Sequence, residues 1–237
     1  MSNSYFQFKQ FRIEQDACAM KVSTDACIQG AWTPVTSSVK TVLDIGAGTG
    51  LLSLMIAQRN EHAIIDAIEI DPSATKQANE NFIRSPWSER LCVQNFDIRQ
   101  IDFNRKYDLI VCNPPFFGNS LLGERTQRNI ARHTLSLSQE DLFQALEVNL
   151  APDGYASILL PVTEHGAWRQ LLKDRNWKIF HELHIVPRSG LKPNRIVSLC
   201  SRNDLTFFQQ EELLIRDSQN NYTPEFIHLL RPFYLNL

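Results

Sequence analysis

From Thr41 onward, short β-branched apolar runs alternate with segments of helical character, and that pattern restricts the fold more than any other feature. Thr41–Ile45, Ala63–Ile70, Leu91–Asn95 and Tyr107–Cys112 read as strands. Leu51–Gln58 reads as a helix apolar nearly all round, hence buried. Pro72 starts a second helix at a favoured first-turn position, and Ala74, Ala78 and Phe82 share one face at i, i+4, i+8. Ser138 with Asp141 has the spacing of a capping box for a helix over 142–150. Pro152-Asp153-Gly154 is expected as a turn into a strand at Tyr155–Leu160, and a helix is expected around Trp168, Leu171 and Leu172. Trp177–Val186 and Arg195–Ser201 then follow with no helix between them, so they should pair antiparallel as an edge hairpin. The expected class is α/β: a mostly parallel sheet, helices on both faces and an antiparallel edge hairpin.

At 237 residues this suits one domain. Residues 1–40 form a strand and helix cover, 41–203 the core, and 204–237 an extension packed on it. Within the cover, residues 5–13 suggest a short strand or hairpin. Thr24 or Asp25 is placed to cap a short helix ending before Pro34. The 20–32 stretch is either a lid over the sheet or the wall of a ligand pocket, and in the second reading Thr24 faces the ligand. The five cysteines are scattered and odd in number, without a C-x-x-C pair, which points to reduced thiols in the cytoplasm and to no metal. No apolar run reaches membrane-spanning length. With a formal net charge of -2, any nucleic acid must be held by a local patch.

The first strand runs into Asp44-Ile45-Gly46-Ala47-Gly48-Thr49-Gly50. Glycines here allow a tight turn and close backbone approach to a ligand at a helix N-terminus. The spacing is G-x-G-x-G, not the G-x-G-x-x-G of a pyrophosphate cradle. Asp44 is a poor neighbour for pyrophosphate but a good one for an ammonium group. Glu69 closes the second strand, where an acid takes ribose hydroxyls, with Asp71 next but one. Asp97, past the third strand, is placed to accept from an adenine amine. An ammonium partner, a ribose partner and an adenine acceptor without a phosphate cradle describe S-adenosylmethionine better than NAD.

The fourth strand stops in Asn113-Pro114-Pro115-Phe116. Two prolines hold φ near -65° and donate no N–H, so the chain turns a fixed corner there. Asn113 Oδ1 and the Pro114 carbonyl can accept both hydrogens of a planar NH2 group while Phe116 stacks on its carrier. Asn113 also borders the cofactor, and Pro115 and Phe117 stand at the rim. Adenine N6, guanine N2 and a glutamine amide all offer such a group, so the tetrapeptide leaves the acceptor open. Arg125, Arg128 and Arg132 beyond the corner, with Arg188, Lys192 and Arg195 from the hairpin, form a phosphate-binding rim that favours RNA.

These motifs, in this order, resemble class I S-adenosylmethionine-dependent methyltransferases of the amino-methylating branch. That resemblance implies a Rossmann-like sheet of seven strands with the last antiparallel. A closer one covers nearly the whole chain. Phe8–Phe11, Met20–Asp25, Gly30–Trp32, Asn113–Phe117, Tyr222–Phe226 and Phe233–Leu235 are similar to bacterial adenine-N6 methyltransferases of valine tRNA. The resemblance implies methylation of the adenine 3′ of the anticodon, position 37, with an anticodon loop as partner. Guanine-N2 methylation of ribosomal RNA and N5 methylation of a release-factor glutamine are the alternatives. A monomer is expected, because no apolar stripe is left over once the core is assigned.

Overall fold

A computed structural model describes residues 3–18, 20–100, 105–114, 137–203 and 207–237. A hairpin of β1 (Tyr5–Gln7) and β2 (Arg12–Glu14) precedes α1 (Thr24–Trp32). Then come β3 (Thr41–Ile45), α2 (Leu51–Arg59), β4 (Ile64–Glu69), α3 (Pro72–Ile83), β5 (Leu91–Asn95) and β6 (Tyr107–Cys112). After the undescribed stretch follow α4 (Gln139–Asn149), β7 (Leu150–Pro161), α5 (Val162–Asp174), β8 (Lys178–Val186), β9 (Arg195–Ser201), β10 (Gln209–Leu214) and α6 (Pro224–Leu230). Among the described residues no helix is long and apolar enough to cross a membrane.

The main sheet runs β10-β8-β9-β7-β6-β3-β4-β5. All its pairings are parallel except those of β9, which is antiparallel to both β7 and β8. The α/β class and the antiparallel pair are therefore as expected, with two corrections. Among the described residues the sheet has eight strands instead of seven, and the β8–β9 pair is not its edge, because β10 adds alongside β8. Side-chain alternation along the strands splits the core between two faces. Leu159, Leu183, Ile185 and Val197 meet α1, α2 and α6 on one side. Ile110, Ile158 and Leu160 meet α4 and α5 on the other.

Local signals explain most boundaries. Asp71 caps α3 by accepting from Ser73 N and Ala74 N, and Ser138 with Asp141 forms the expected capping box. The cap of α1 is Ser23, one residue before the expected pair, since its backbone is extended and its hydroxyl accepts from Ala26 N. Pro152-Asp153-Gly154 does not precede a strand but lies within β7, where pairing slips from Tyr107↔Leu150 to Leu109↔Tyr155. Gly154 permits the bulge: a Cβ there would stand 2.9 Å from the Tyr107 carbonyl oxygen.

Gly50 precedes α2 in the left-handed region, φ 80°, and a Cβ on it would lie 2.4 Å from Phe82 Cε1. Gly50→Ala therefore adds left-handed strain of about 1–2 kcal/mol to overpacking of about 1–3 kcal/mol. A melting temperature lower by roughly 5–15 °C is expected for a chain of this size. Pairing it with Phe82→Leu should return part of that loss. Scanning calorimetry that finds Gly50→Ala within experimental error of the parent would refute this packing role.

Candidate active site

All parallel strands deliver their carboxyl ends to one edge of the sheet, where open α/β sheets bind ligands. At that edge Asp44, Gly46, Gly48, Glu69, Asp71, Asp97, Asn113 and Pro114 line a single cavity. Two of the expected cofactor residues stand apart from it. Gly50 packs on Phe82, and Thr24 is exposed at the start of α1, its side chain in hydrogen-bond contact with Tyr234. Pro115, Phe116, Phe117, Arg125, Arg128 and Arg132 lie outside the described residues.

Asp44 caps α2. Gly50 offers α2 no side-chain cap, so the buried Asp44 carboxylate accepts from Ser53 N (3.1 Å) and Ser53 Oγ (2.7 Å) instead. Burial nonetheless pushes its carboxyl up to about 6, against the lowering effect of Ser53, with the Glu69 charge adding to the rise. Glu69 bridges the glycine loop and the strand exit. Its Oε2 accepts from Gly48 N (2.8 Å) and its Oε1 from Asp71 N (2.9 Å). Each oxygen keeps a lone pair for a ligand hydroxyl. Asp71 spends Oδ1 on capping α3. Asp97 is clamped by Arg99, whose Nε reaches both carboxylate oxygens (2.9 and 3.0 Å) and whose backbone N–H adds a third bond. Hydrogen bonding to that guanidinium holds the carboxyl below the usual range.

Asn113 stands at the end of β6, and the buried Gln29 of α1 steadies its approach by donating from Nε2 to the carbonyls of Cys112 and Ser157, both 3.0 Å. Asn113 Oδ1 is buried and accepts no hydrogen bond among the described residues. Leaving a buried acceptor unpaired costs about 1–3 kcal/mol. Asn113 also lines the cavity, so an N–H donor bound there would relieve that cost.

The 20–32 segment resolves as a pocket wall: Met20, Val22 and Ala26 line the cavity, as does Cys18. Sequence reasoning missed what holds it there. Asn81 of α3 accepts from Glu14 N and donates to the Glu14 and Thr49 carbonyls, tying the N-terminal segment to the glycine loop. Gln77 accepts from Ala17 N and donates to Asp16. Phe96 was also missed, although a large ring 53% exposed beside Asp97 is a signal of a stacking surface.

Residues 33–148 match the family described as methyltransferase small domain. The tRNA1(Val) (adenine(37)-N6)-methyltransferase of Cytophaga hutchinsonii is 44% identical over 241 residues, covering 100% of both chains. That of Tolumonas auensis is 42% identical over 238 residues, covering 100% of this chain and 99% of its own. This chain belongs to the tRNA1(Val) (adenine(37)-N6)-methyltransferase family. A predicted O-methyltransferase from Agrobacterium tumefaciens superposes with a TM-score of 0.66 at 17% identity, covering 90% of this chain and 100% of its own, and so shares the fold. The family implies S-adenosylmethionine, and the cavity fits it: carboxylates at successive strand ends, a glycine backbone beside them, an apolar wall and an unpaired acceptor at Asn113.

Proposed function

We propose that this protein methylates the exocyclic N6 amine of adenine 37 in a valine tRNA, with S-adenosylmethionine as donor. The observation that carries the reading is Asn113 at the end of β6: it lines the cavity that holds the carboxylates, and its Oδ1 is buried with no hydrogen-bond partner among the described residues. Asp44 would take the cofactor's ammonium group, Glu69 its ribose hydroxyls, Asp97 its adenine amine and Phe96 the face of that ring. When bound, the cofactor supplies an electrophilic methyl group on sulfur, and everything else is positioning.

The N6 lone pair of adenine is delocalised into the ring. Two acceptors, Asn113 Oδ1 and the Pro114 carbonyl, would hold both N–H groups and favour a pyramidal nitrogen whose lone pair points at the methyl. That interaction strengthens as the nitrogen gains positive charge, so it acts on the transition state. Asn113 is an amide and takes no proton; the one that the nitrogen must shed once it carries the methyl group would pass to water. The target base must leave its loop to reach the corner, and Phe116 would stack on it.

Arg195 supports an RNA acceptor. Its Nε lies 3.6 Å from Asp25 Oδ2, and Asp25 adjoins the cavity-lining Ala26. Arg188 and Lys192 are exposed on the loop between β8 and β9, at the same edge of the sheet. The reading extends to a cytoplasmic monomer. All cysteines are free. The open strand β10 carries exposed Glu211 and Glu212, which repel a second copy's edge. Labelled cofactor offered with bulk tRNA, ribosomal RNA and release factors tests the whole. N6-methyladenosine recovered from valine tRNA is the expected product. Label confined to ribosomal guanine or to protein would overturn the substrate while keeping the chemistry at Asn113.

A further inference from the structure

The strand that the expected seven-stranded sheet lacked lies beside the site. Strand β10 runs parallel to β8, so both end at the edge that carries Asn113. The chain leaving β8 is locked to the chain leaving β10. Ile215 N donates to the Val186 carbonyl (2.9 Å) and Ser189 N to that of Arg216 (2.9 Å), while the Arg188 guanidinium donates to the Ser218 carbonyl (3.1 Å). The turn itself is stiff. Asp217 Oδ1 accepts from Gln219 N and Asn221 N, and Arg216 and Tyr222 pair in an isolated antiparallel bridge, closed by Asp217 N donating to the Asn221 carbonyl and Thr223 N to that of Ile215.

Two cations stand on this paired loop and turn with capacity to spare. Arg216 lies flat over the Tyr222 ring, 4.0 Å from its centroid, and spends one N–H on the Asn220 carbonyl. A guanidinium has five N–H donors, so most remain. Lys192 is exposed, and among the described residues no ion pair engages it. The nearby acids are already committed: Asp217 to its own turn, Asp25 to Arg195. Through Asp25 and Ala26 the cations of this edge connect to the wall of the cavity.

We propose that the 187–194 loop and the 215–222 turn together form a phosphate-binding ledge for the anticodon arm, with Arg216 and Lys192 as ligands of the RNA backbone. This gives the C-terminal strand a purpose: β10 carries the turn to the active edge and props the loop against it. The inference rests on the tRNA reading above.

Neutralising both cations, Lys192→Gln with Arg216→Gln, tests it against unmodified valine tRNA across a salt series. Each single-stranded phosphate contact contributes about 0.7 to the slope of log affinity against log salt, so the slope should fall by about 1.4. KM for tRNA should rise about tenfold, while kcat at saturating tRNA and cofactor affinity stay unchanged. Arg216→Lys with Lys192 intact should keep most of the slope. Lys192→Gln alone should lower it by about 0.7, which tests the ledge even if the turn does not tolerate glutamine at 216. Lys178→Gln, at the opposite end of β8, should change nothing. An unchanged slope in both glutamine variants would overturn the ledge and leave the enzyme's function standing. Wild-type protein that neither binds nor methylates tRNA would overturn the function itself.

Discussion

Replacing Asn113 by alanine should lower kcat by about two to three orders of magnitude, the cost typical of removing one preorganised polar group aimed at developing charge. Cofactor affinity should change by less than about threefold, because the residues proposed to bind it, Asp44, Glu69 and Asp97, lie at the ends of other strands. The melting temperature should hold or rise. Among the described residues Asn113 Oδ1 is a buried acceptor without a partner, a cost that the fold carries and the alanine variant sheds. Loss of activity with retained or increased stability is the signature of a group kept for the reaction. Stopped-flow transfer kinetics, equilibrium dialysis of the cofactor and calorimetry read the three quantities separately. A variant that loses cofactor affinity in proportion to kcat would remove Asn113 from the acceptor side of the site.

The position of Asn113 depends on a chain of contacts running from the N-terminal segment to the sheet. Gln29 fixes the carbonyls of Cys112 and Ser157, the last turn of polar structure before the corner. Asn81 and Gln77 hold residues 14–17 to α3, so that Cys18, Met20 and Val22 can wall the cavity. Cys18, Met20, Lys21, Val22 and Ala26 of the N-terminal segment thus line the candidate cavity. The core from Thr41 supplies charges at strand ends, and the cover supplies the apolar wall that makes those charges count.

What could be read from the sequence divides by range. Strand β3, the glycine loop, α2 and the caps at Asp71 and Ser138 depend on neighbours within a few residues, and the sequence displays all of them. The expectation of a corner after Asn113 is equally local, since it rests on two adjacent prolines in the sequence. Strand β10 was hidden because Gln209-Gln210-Glu211-Glu212 is exposed and shows no apolar alternation. Its pairing with His181–Val186 is a long-range choice that no local pattern announces. The cap at Ser23 was ambiguous within a Ser-Thr-Asp run, where only backbone geometry selects the capping residue. Asn81 and Gln77 look like ordinary polar helix positions until the segment they bind is in place. Asp97 was read as free to accept from adenine, yet Arg99 two residues on occupies both of its oxygens. A ligand amine must therefore use the lone pairs that remain.

Cofactor affinity should fall about tenfold between pH 7 and pH 5, and Asp44 is the reason. In the folded chain its carboxyl sits at about 6, above the unfolded value of 3.8, chiefly because burial disfavours the charge. A raised carboxyl means that the folded state binds the proton more tightly between those two values. Stability from this group is therefore greatest below about 4 and declines as pH rises through 6. Cofactor binding has the opposite sign. An ammonium group needs the carboxylate, so at pH 5 only about one-tenth of the protein is ready for it, and binding must expel a proton. The ligand's own amine, with a usual value of about 7.7–8.0, stays charged throughout this window. Asp44→Asn keeps an acceptor for Ser53, so α2 should remain capped and the fold intact. Affinity should drop about 10- to 100-fold at pH 7, the worth of a charge-assisted hydrogen bond, and the pH dependence should vanish. Titration calorimetry in buffers of different ionisation enthalpy measures affinity and proton release together. Wild-type affinity flat from pH 5 to 7, or an asparagine variant with the parental slope, would show that the ammonium is held elsewhere and leave Asp44 as a helix cap alone.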